Sequence, residues 1–392
     1  MRRRGCVSLA SVASVLTLFA FAACSPAPDP SGFSKVDKDK AAPGSPGSFG
    51  DGTSDGGPVG GACVPDKRHA EIPGNNCDDD DDGVVDNVEA CDGTLANDGS
   101  AEDFAKTLGI CESAQAKGYG LVSAKFTRGH GRQDAPMVEQ HGVLEKFGTV
   151  VKAREGKRLG VLSTGYAQEF NGAPGTAFGG LAGGKDWFNA GATGNGTAPP
   201  GFPKAAAGCP QSMNVNDVVD IRLELKAPPN ASGFKFDFNF HSSEWPAYIC
   251  SEFNDGFVAY LTAGGKGDNI SFDAKKNPVS VNNGFFDRCT AGAQIGCRGG
   301  SPGTSTCPAG ADELAGTGFG VLGKFCGATG AQTVSGGATG WLSSQAPVKA
   351  GETFTLDLMI WDTGDGDLDS SVLLDNFQWI AGEVVTSTER PR

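Results

Sequence analysis

The chain has 392 residues, of which 60 are Gly and 12 are Cys, and its formal net charge is −14. A net negative charge of this size argues against nucleic acid and anionic lipid surfaces as partners, and it is compatible with the binding of divalent cations. The Gly residues lie mostly in loop-like stretches, which is typical of an all-β domain with many turns.

Residues 1–23 predict an export signal that ends at a lipid-attachment site. After a basic start, the apolar stretch Val7–Ala23 is too short to span a bilayer comfortably. The following Cys24 completes a segment that resembles the lipobox of bacterial lipoproteins, in which the Cys is diacylated, although Phe21 stands in place of the usual Leu. Ser25, rather than Asp, implies an outer-membrane lipoprotein, periplasmic or surface-exposed, that contacts the membrane through its lipid. A cleaved signal of a soluble secreted protein is the alternative.

Residues 24–62 predict a tether between this anchor and the folded part. Pro, Gly, Ser, Asp and Lys dominate the segment, and so little apolar content cannot bury a core. As a flexible chain, the segment has a root-mean-square reach of roughly 35 Å. We therefore expect the folded part to be held away from the membrane surface.

Residues 63–100 predict a small calcium module that contains a run of five Asp. The spacing matches the calcium-loop pattern D-x-D-x-D-G-x5-E, in which alternate oxygens point inward. The predicted ligands are the carboxylates of Asp78, Asp80 and Asp82, the carbonyl of Val84, Asp86 through a water, and Glu89. A hard oxygen cage of this charge favours Ca²⁺. A solvated, disordered Asp run is the alternative.

The flanks of this loop are not those of an EF-hand, because Pro73-Gly74 breaks a helix and Cys residues bracket the loop instead. The module resembles the short Cys-and-Asp calcium modules of the thrombospondin type 3 kind and the metal-binding repeats of bacterial surface proteins. All predicted ligands come from one loop, so we expect the ion to have a structural role.

Ten Cys remain after Cys6 in the signal and Cys24 are set aside. An even number in an exported chain predicts five disulfides, whose connectivity the sequence leaves open. These residues are Cys63, Cys77, Cys91, Cys111, Cys209, Cys250, Cys289, Cys297, Cys307 and Cys326. The chain contains no CxxC pair, so neither a zinc ribbon nor a thioredoxin-like site is supported.

Residues 101–383 predict one large antiparallel β-sandwich, jelly-roll-like, with a short N-terminal helix and long disulfide-tied loops. The clearest strand has Phe at every second position from 234 to 240, a pattern typical of a half-buried strand. The helix is predicted over 103–115, and further strands over 121–128, 142–151, 158–164, 217–226, 257–261, 278–282, 351–361 and 371–380. The stretch 171–208 is predicted to be a long loop, 284–340 a disulfide-tied excursion, and 384–392 a flexible tail.

Two loops of the sandwich gather carboxylates. The first carries Glu244, Glu252 and Asp255, and the second carries Asp362, Asp365, Asp367 and Asp369. A second calcium site would explain them if the loops converge, since crowded carboxylates are costly without a cation. Glycoside hydrolysis with Glu244 or Glu252 as the acid, and solvated loop acids, are the alternatives.

The four His residues do not indicate a catalytic site. His241 and the adjacent Ser242 point to opposite faces of their strand, so a Ser–His–Asp arrangement is not favoured. No G-x-S-x-G or H-E-x-x-H pattern is present. We interpret all four as surface or half-buried residues.

Several segments resemble the choice-of-anchor L family of exported bacterial proteins. The strongest are FKFDFNFHSSEWPAYICSEFNDGFVAYL (234–261) and LMIWDTGDGDLDSSVLLDNFQW (358–379), with shorter pieces at 108–126, 140–148, 158–167 and 277–283. The family carries Ser-Glu-Glu-Tyr where this chain has Ser243-Glu244-Trp245, and the Cys-rich stretch 284–340 is a further departure. The resemblance implies a surface-attached domain with a variable anchor, and it implies no chemistry.

The combined interpretation is a lipid-anchored surface binding or adhesion protein with calcium-stabilised loops, whose partner is a glycan or a surface protein. An exported glycan-processing hydrolase using Glu244 and a nearby carboxylate is the alternative, and a structural envelope protein is a third. Trp245, Tyr248 and Phe253 in the first loop are either packing residues or a platform for sugar rings.

Overall fold

The computed structural model describes residues 63–97, 99–167, 196–282, 285–300, 302–323, 326 and 333–391. The predicted signal peptide, Cys24 and the predicted tether lie outside the described residues, as does most of the predicted loop 171–208.

The described part of the chain is mostly β, which confirms the predicted fold class. The helices are α1 (Ala101–Thr107) and α2 (Ala114–Lys117), and two 3₁₀ turns span Val138–Gln140 and Asp312–Leu314. The strands are β1 (Gly120–Thr127), β2 (His141–Leu144), β3 (Lys146–Phe147), β4 (Val151–Lys152), β5 (Leu159–Ser163), β6 (Val215–Lys226), β7 (Gly233–Ser242), β8 (Gly256–Ala263), β9 (Lys266–Asn269), β10 (Val279–Ser280), β11 (Gln294–Ile295), β12 (Gly303–Thr304), β13 (Val321–Gly323), β14 (Thr333–Ser335), β15 (Gly337–Pro347), β16 (Thr353–Thr363), β17 (Ser370–Ile380) and β18 (Ser387–Glu389).

Two six-stranded antiparallel sheets form the sandwich. The first has the order β1-β6-β16-β8-β10, with β9 paired to β8, and the second has the order β18-β15-β7-β17-β5-β2. Non-sequential neighbours are frequent, because β16 lies between β6 and β8 while β17 lies between β7 and β5. This order brings together loops that are far apart in the sequence.

The main core lies between the two sheets. The Phe face of β7 contributes four rings that are fully buried, and alternate apolar residues of β6 and β16 face them. Phe234 stacks on Phe354 at 5.2 Å between ring centroids, and Phe238 lies 4.8 Å from Phe257. Each buried Phe side chain contributes about 1.5–3 kcal/mol, so this strand is a major source of stability.

The opposite face of β7 is buried as well, which the alternating pattern does not predict. Asp237, Asn239 and His241 are each at most 1 % exposed. A second apolar cluster, which includes Phe147 and Phe319, covers this face. Our expectation that every His is surface or half-buried is therefore wrong for His241, because Phe147 of β3 and Phe319 of the excursion 284–340 pack over it.

Some predicted elements differ in detail. The helix predicted over 103–115 forms as α1 and α2, and the strand predicted over 142–151 divides into β2, β3 and β4, with Gly148 in the left-handed region at φ 69°. The long strand β15 was not predicted. The segment predicted to be a flexible tail contains β18, which pairs with β15 over Ser387–Glu389.

Five disulfides join the ten described Cys residues, as their even number predicts. The pairs are Cys63–Cys77, Cys91–Cys111, Cys209–Cys250, Cys289–Cys307 and Cys297–Cys326. The second pair attaches the acidic module (residues 63–100) to the sandwich. The buried Asp92 carboxylate strengthens this attachment, since it accepts hydrogen bonds from the backbone N–H groups of Lys157 (2.7 Å) and Arg158 (2.6 Å).

Candidate cation-binding sites

The two acidic loops of the sandwich converge at one end of the sheets. The hydroxyl of Ser370 donates to Asp255 at 2.7 Å, and the backbone N–H of Thr363 donates to the same carboxylate at 3.0 Å. A third link joins the backbone N–H of Ser243 to the carbonyl of Asp369 at 3.1 Å. The pairing of β7 with β17 and of β8 with β16 places the loop ends side by side and makes these contacts.

A cluster of buried carboxylates lies where these loops meet, and we call it the sandwich-end acid cluster. Its members share an exposure of 5 % or less: Asp217, Glu244, Asp255, Asp362 and Asp369. Both carboxylate oxygens of Asp217 are buried without a hydrogen-bond partner, as is one oxygen of Glu244, and Asp362 is buried with Thr164 and Asp255 as its hydrogen-bonding neighbours. Buried acids normally have partners, so this arrangement is unusual.

Burial dominates the electrostatics of the cluster. It raises the pKa of Asp217 to about 7, and the charge of Arg128 opposes that rise. Burial also raises the pKa of Asp255 to about 7, against hydrogen bonds that lower it. The pKa values of Glu244 and Asp362 rise well above their usual range, first through burial and then through the charge of Asp255.

The predicted site residues divide between this cluster and the surface. Glu252, Asp365 and Asp367 are exposed. The charges of Asp365 and Asp367 raise the pKa of the buried Glu244, whereas the charge of Glu252 acts on Asp365. Asp217 belongs to the cluster but was not predicted to be a site residue. The sequence does contain a signal for it, because Asp217 is in phase with Val219 and the other core-facing residues of β6.

The acidic module contains a second group of carboxylates. Ligand oxygens of Glu71, Asp78 and Asp80 all lie within 4.8 Å of one another, and the three residues are half-buried. Burial raises the pKa of Glu71 and of Asp80, and the charge of Asp82 raises that of Asp80 further. Glu71 was not predicted, because it lies seven residues before the calcium-loop pattern begins.

The other predicted calcium ligands occupy different positions. Asp86 accepts hydrogen bonds from the backbone N–H groups of residues 74–76, which makes it a cap of that turn. Asp82 accepts from the backbone N–H of Val84 and from the side chain of Asn87, each at 2.8 Å. Glu89 and Val84 are exposed. The structure thus brings Asp78 and Asp80 together with Glu71, and it does not bring the remaining predicted ligands into that group.

A cavity of about 370 Å³ lies between the module and the sandwich. Glu71 and Asp80 line its acidic side, and Tyr119 and Trp379 contribute aromatic surface from the sandwich. Lys117 also lines the cavity. Trp379 belongs to β17, whose other end begins at Ser370 beside the sandwich-end acid cluster, so the two acidic groups lie at opposite ends of one strand.

The structure gives no support to a Ser–His–Asp arrangement at His241. The ring lies between Phe147 and Phe319 at 5.2 and 5.3 Å, and neither ring nitrogen has a hydrogen-bond partner. Burial lowers the pKa of His241 to about 3.

Together these features define a disulfide-bonded antiparallel β-sandwich with acidic sites at two ends. Residues 158–378 match the family model of the choice-of-anchor L domain, and the chain belongs to this family. Membership and the disulfides indicate an extracellular or surface-associated protein. No curated protein and no solved structure is significantly similar to the chain. Within the described residues, no helix has the length and apolar character needed to cross a membrane.

Proposed function

We propose that this protein is a lipid-anchored surface adhesin in which Ca²⁺, held by the acidic module, forms part of a glycan-binding cavity. The observation that carries the proposal is the cavity itself, because it combines the carboxylates of Glu71 and Asp80 with the aromatic side chains of Tyr119 and Trp379. Anchoring through Cys24 would hold this cavity near the membrane, and export to the outer face would expose it to glycans outside the cell.

The chemistry of the cavity suits a sugar. Three carboxylates would satisfy part of the shell of a Ca²⁺ ion, which takes six to eight oxygen ligands, and the hydroxyl groups of a glycan would supply others. The apolar face of a sugar ring would lie against Trp379, since aromatic rings offer a large apolar surface. The volume of about 370 Å³ is within the range of pockets that bind small ligands.

A glycan-processing hydrolase that uses Glu244 is the second candidate, and we rank it lower. Glu244 is 3 % exposed, so a polysaccharide would not reach its carboxylate without displacement of the loop. General acid catalysis requires the acid within hydrogen-bond distance of the leaving oxygen.

The proposal is tested by glycan-array binding of the full lipidated chain in detergent, with calcium and with a chelator. We expect glycan binding to require calcium. In Glu71→Gln, glycan binding and calcium binding by the acidic module should both be lost. In Trp379→Ala, glycan binding should be lost while the affinity for calcium remains. Trp341→Ala is the matched control, because Trp341 lies on β15 and does not line this cavity. Glycan binding that persists with chelator, or that survives Trp379→Ala, would contradict the proposal.

The lipid anchor is tested separately. Membrane association that survives Cys24→Ser would contradict the lipid anchor.

A further inference from the structure

We propose that the sandwich-end acid cluster binds a divalent cation, Ca²⁺, at a site independent of the acidic module. The site would use Asp217, Asp255, Asp362 and Asp369, with Glu244 beside them. It would connect three separate segments of the chain: the start of β6, the loop after β7 and the loop between β16 and β17.

The position of Asp217 and Asp362 is the first argument. Each residue is 2 % exposed, and both carboxylate oxygens of Asp217 are buried without a hydrogen-bond partner, while Thr164 and Asp255 are the hydrogen-bonding neighbours of Asp362. The acids are close enough to influence one another: the charge of Asp217 raises the pKa of Asp362, and the charge of Asp255 raises the pKa of Asp217. The unpartnered carboxylate of Asp217 therefore offers two free oxygen ligands, and the buried carboxylate of Asp362, on which its charge acts, is a further candidate ligand.

The charge balance is the second argument. Five carboxylates gather in a region with almost no contact with water, and the cation that acts on Asp217 is Arg128. Burying carboxylates without compensation costs far more than a hydrogen bond returns. A divalent ion would offset two of these charges and satisfy the free oxygens at the same time.

The packing around the cluster is the third argument. A Cβ atom at Gly165 would lie 2.1 Å from a carboxylate oxygen of Asp369, so the chain passes close to this acid at a position where only Gly fits. Asp255 is held in place by the hydrogen bonds from Thr363 and Ser370. The carboxylate of Asp255 is thus held on a braced loop, which positions this ligand more precisely than a free loop does, and the other carboxylates would turn toward the ion.

The donor set selects the ion. Carboxylate oxygens suit hard cations, and an irregular group from three segments suits Ca²⁺ better than Mg²⁺, which requires near-ideal octahedral geometry. Among the described residues, only Glu71, Asp78 and Asp80 bring three acidic ligand atoms within 4.8 Å of one another. Binding at the sandwich end would therefore draw the side chains of the cluster together around the ion.

The experiment is calcium titration calorimetry and thermal unfolding on the full lipidated chain in detergent. We expect two Ca²⁺ ions for the unmodified chain and one for Glu71→Gln, which removes a module ligand. In the Glu71→Gln chain, calcium at about a hundred times its Kd should raise Tm by roughly 5 °C. Adding Asp362→Asn or Asp217→Asn to Glu71→Gln should abolish both the remaining binding and the rise in Tm.

Asp375→Asn in the same Glu71→Gln chain is the matched control, because Asp375 is a buried acid of β17 whose oxygens accept backbone hydrogen bonds from Arg154 and Asn376. It should leave calcium binding unchanged. Two results would overturn the inference: no calcium binding in Glu71→Gln, or binding that survives both Asp362→Asn and Asp217→Asn. If Asp362→Asn fails to fold, the Asp217→Asn variant alone decides whether the remaining calcium is bound at the sandwich-end acid cluster. A failure of the module would be distinguishable, because Glu71→Gln would then bind as much calcium as the unmodified chain.

Discussion

The hydroxyl of Ser370 donates a 2.7 Å hydrogen bond to the carboxylate of Asp255, across 115 positions of the sequence. Both residues are buried, at 0 and 1 % exposure. The bond joins the first residue of β17 to the residue that precedes β8, and so it holds together the two loops that carry the sandwich-end acids.

Ser370→Ala should therefore destabilise the fold by about 1–3 kcal/mol, because Asp255 would lose a donor in a site from which water is excluded. The measurement is the urea midpoint of unfolding at constant calcium. Ser123→Ala is the control, since the hydroxyl of Ser123 donates to Glu224 at an exposed position and should contribute little. Equal midpoints for the two variants would show that the Ser370–Asp255 bond does not hold the loops.

The strands that form the core of the sandwich could be predicted from the sequence. In β6, β7, β16 and β17 the predicted and observed bounds differ by two residues or fewer. In β6, β7 and β16 the reason is that alternation marks a strand whose one face is buried. The complete burial of His241 could not be predicted, since the alternating pattern of a strand does not say whether another segment of the chain covers its polar face.

The strand β15 could not be predicted from the sequence, for a different reason. Its sequence, GATGWLSSQAP, contains Gly, Ser and Pro, which have little preference for strands, yet the segment is held between β7 and β18. Tertiary pairing outweighs local propensity here. A bulge between Ala338 and Trp341, with Gly340 in the left-handed region at φ 66°, also interrupts the alternation that would reveal the strand.

The convergence of the acidic loops depends on strand order, which the sequence does not contain. Glu244 and Asp362 could be identified as acids in loops, but their proximity follows from β16 pairing with β8 and β17 pairing with β7. Asp217 could have been identified as an anomaly, since an acid in the core-facing phase of a strand needs a partner. Glu71 carried no comparable signal.

His241→Leu should make the free energy of unfolding depend less steeply on pH between pH 6.5 and 4.5. The pKa of His241 is lowered from 6.5 to about 3, so between these values the unfolded chain binds a proton that the folded chain does not. The contribution of His241 to stability therefore falls as the pH drops below 6.5, by roughly a factor of ten in the folding equilibrium for each pH unit, and the buried acids with raised pKa values contribute in the opposite direction in both chains. The measurement is the urea unfolding free energy from pH 7.5 to 4.5.

Asn239→Leu is the control for this prediction, because Asn239 is buried on the same face of β7 and does not titrate. It should shift the whole pH profile without changing its slope. If His241→Leu and the unmodified chain have the same slope between pH 6.5 and 4.5, the imidazole takes up its proton in the folded state and the prediction is wrong.

Replacing both Cys91 and Cys111 by Ala should loosen the acidic module. This disulfide closes a 20-residue span, and loops of that size contribute about 3 kcal/mol through the entropy of the unfolded chain. Limited proteolysis should then cut near residues 91–111 before the sandwich unfolds. Removing Cys289 and Cys307 in the same way is the control, since that pair lies in the excursion and should leave the module resistant to protease.

Glu71→Gln and Asp86→Ala should separate calcium binding from the stability of the acidic module. The carboxylate of Asp86 caps the turn at residues 74–76, with hydrogen bonds of 2.9 and 3.0 Å from the first two backbone N–H groups, whereas Glu71 lies within 4.8 Å of Asp78 and Asp80. Asp86→Ala should therefore destabilise the chain by about 1 kcal/mol in the presence of chelator, as the loss of a cap does. Glu71→Gln should reduce calcium affinity more than Asp86→Ala does, since the amide keeps the size of the side chain and removes its charge. It should also lower stability in chelator, because the carboxylate of Glu71 accepts hydrogen bonds from the backbone N–H groups of Asp86 (2.8 Å) and Asp79 (3.1 Å). Calcium titrations and chelator-matched melts of both variants check the prediction. A larger loss of calcium affinity in Asp86→Ala than in Glu71→Gln would restore the full calcium-loop pattern as the ligand set and remove Glu71 from the site.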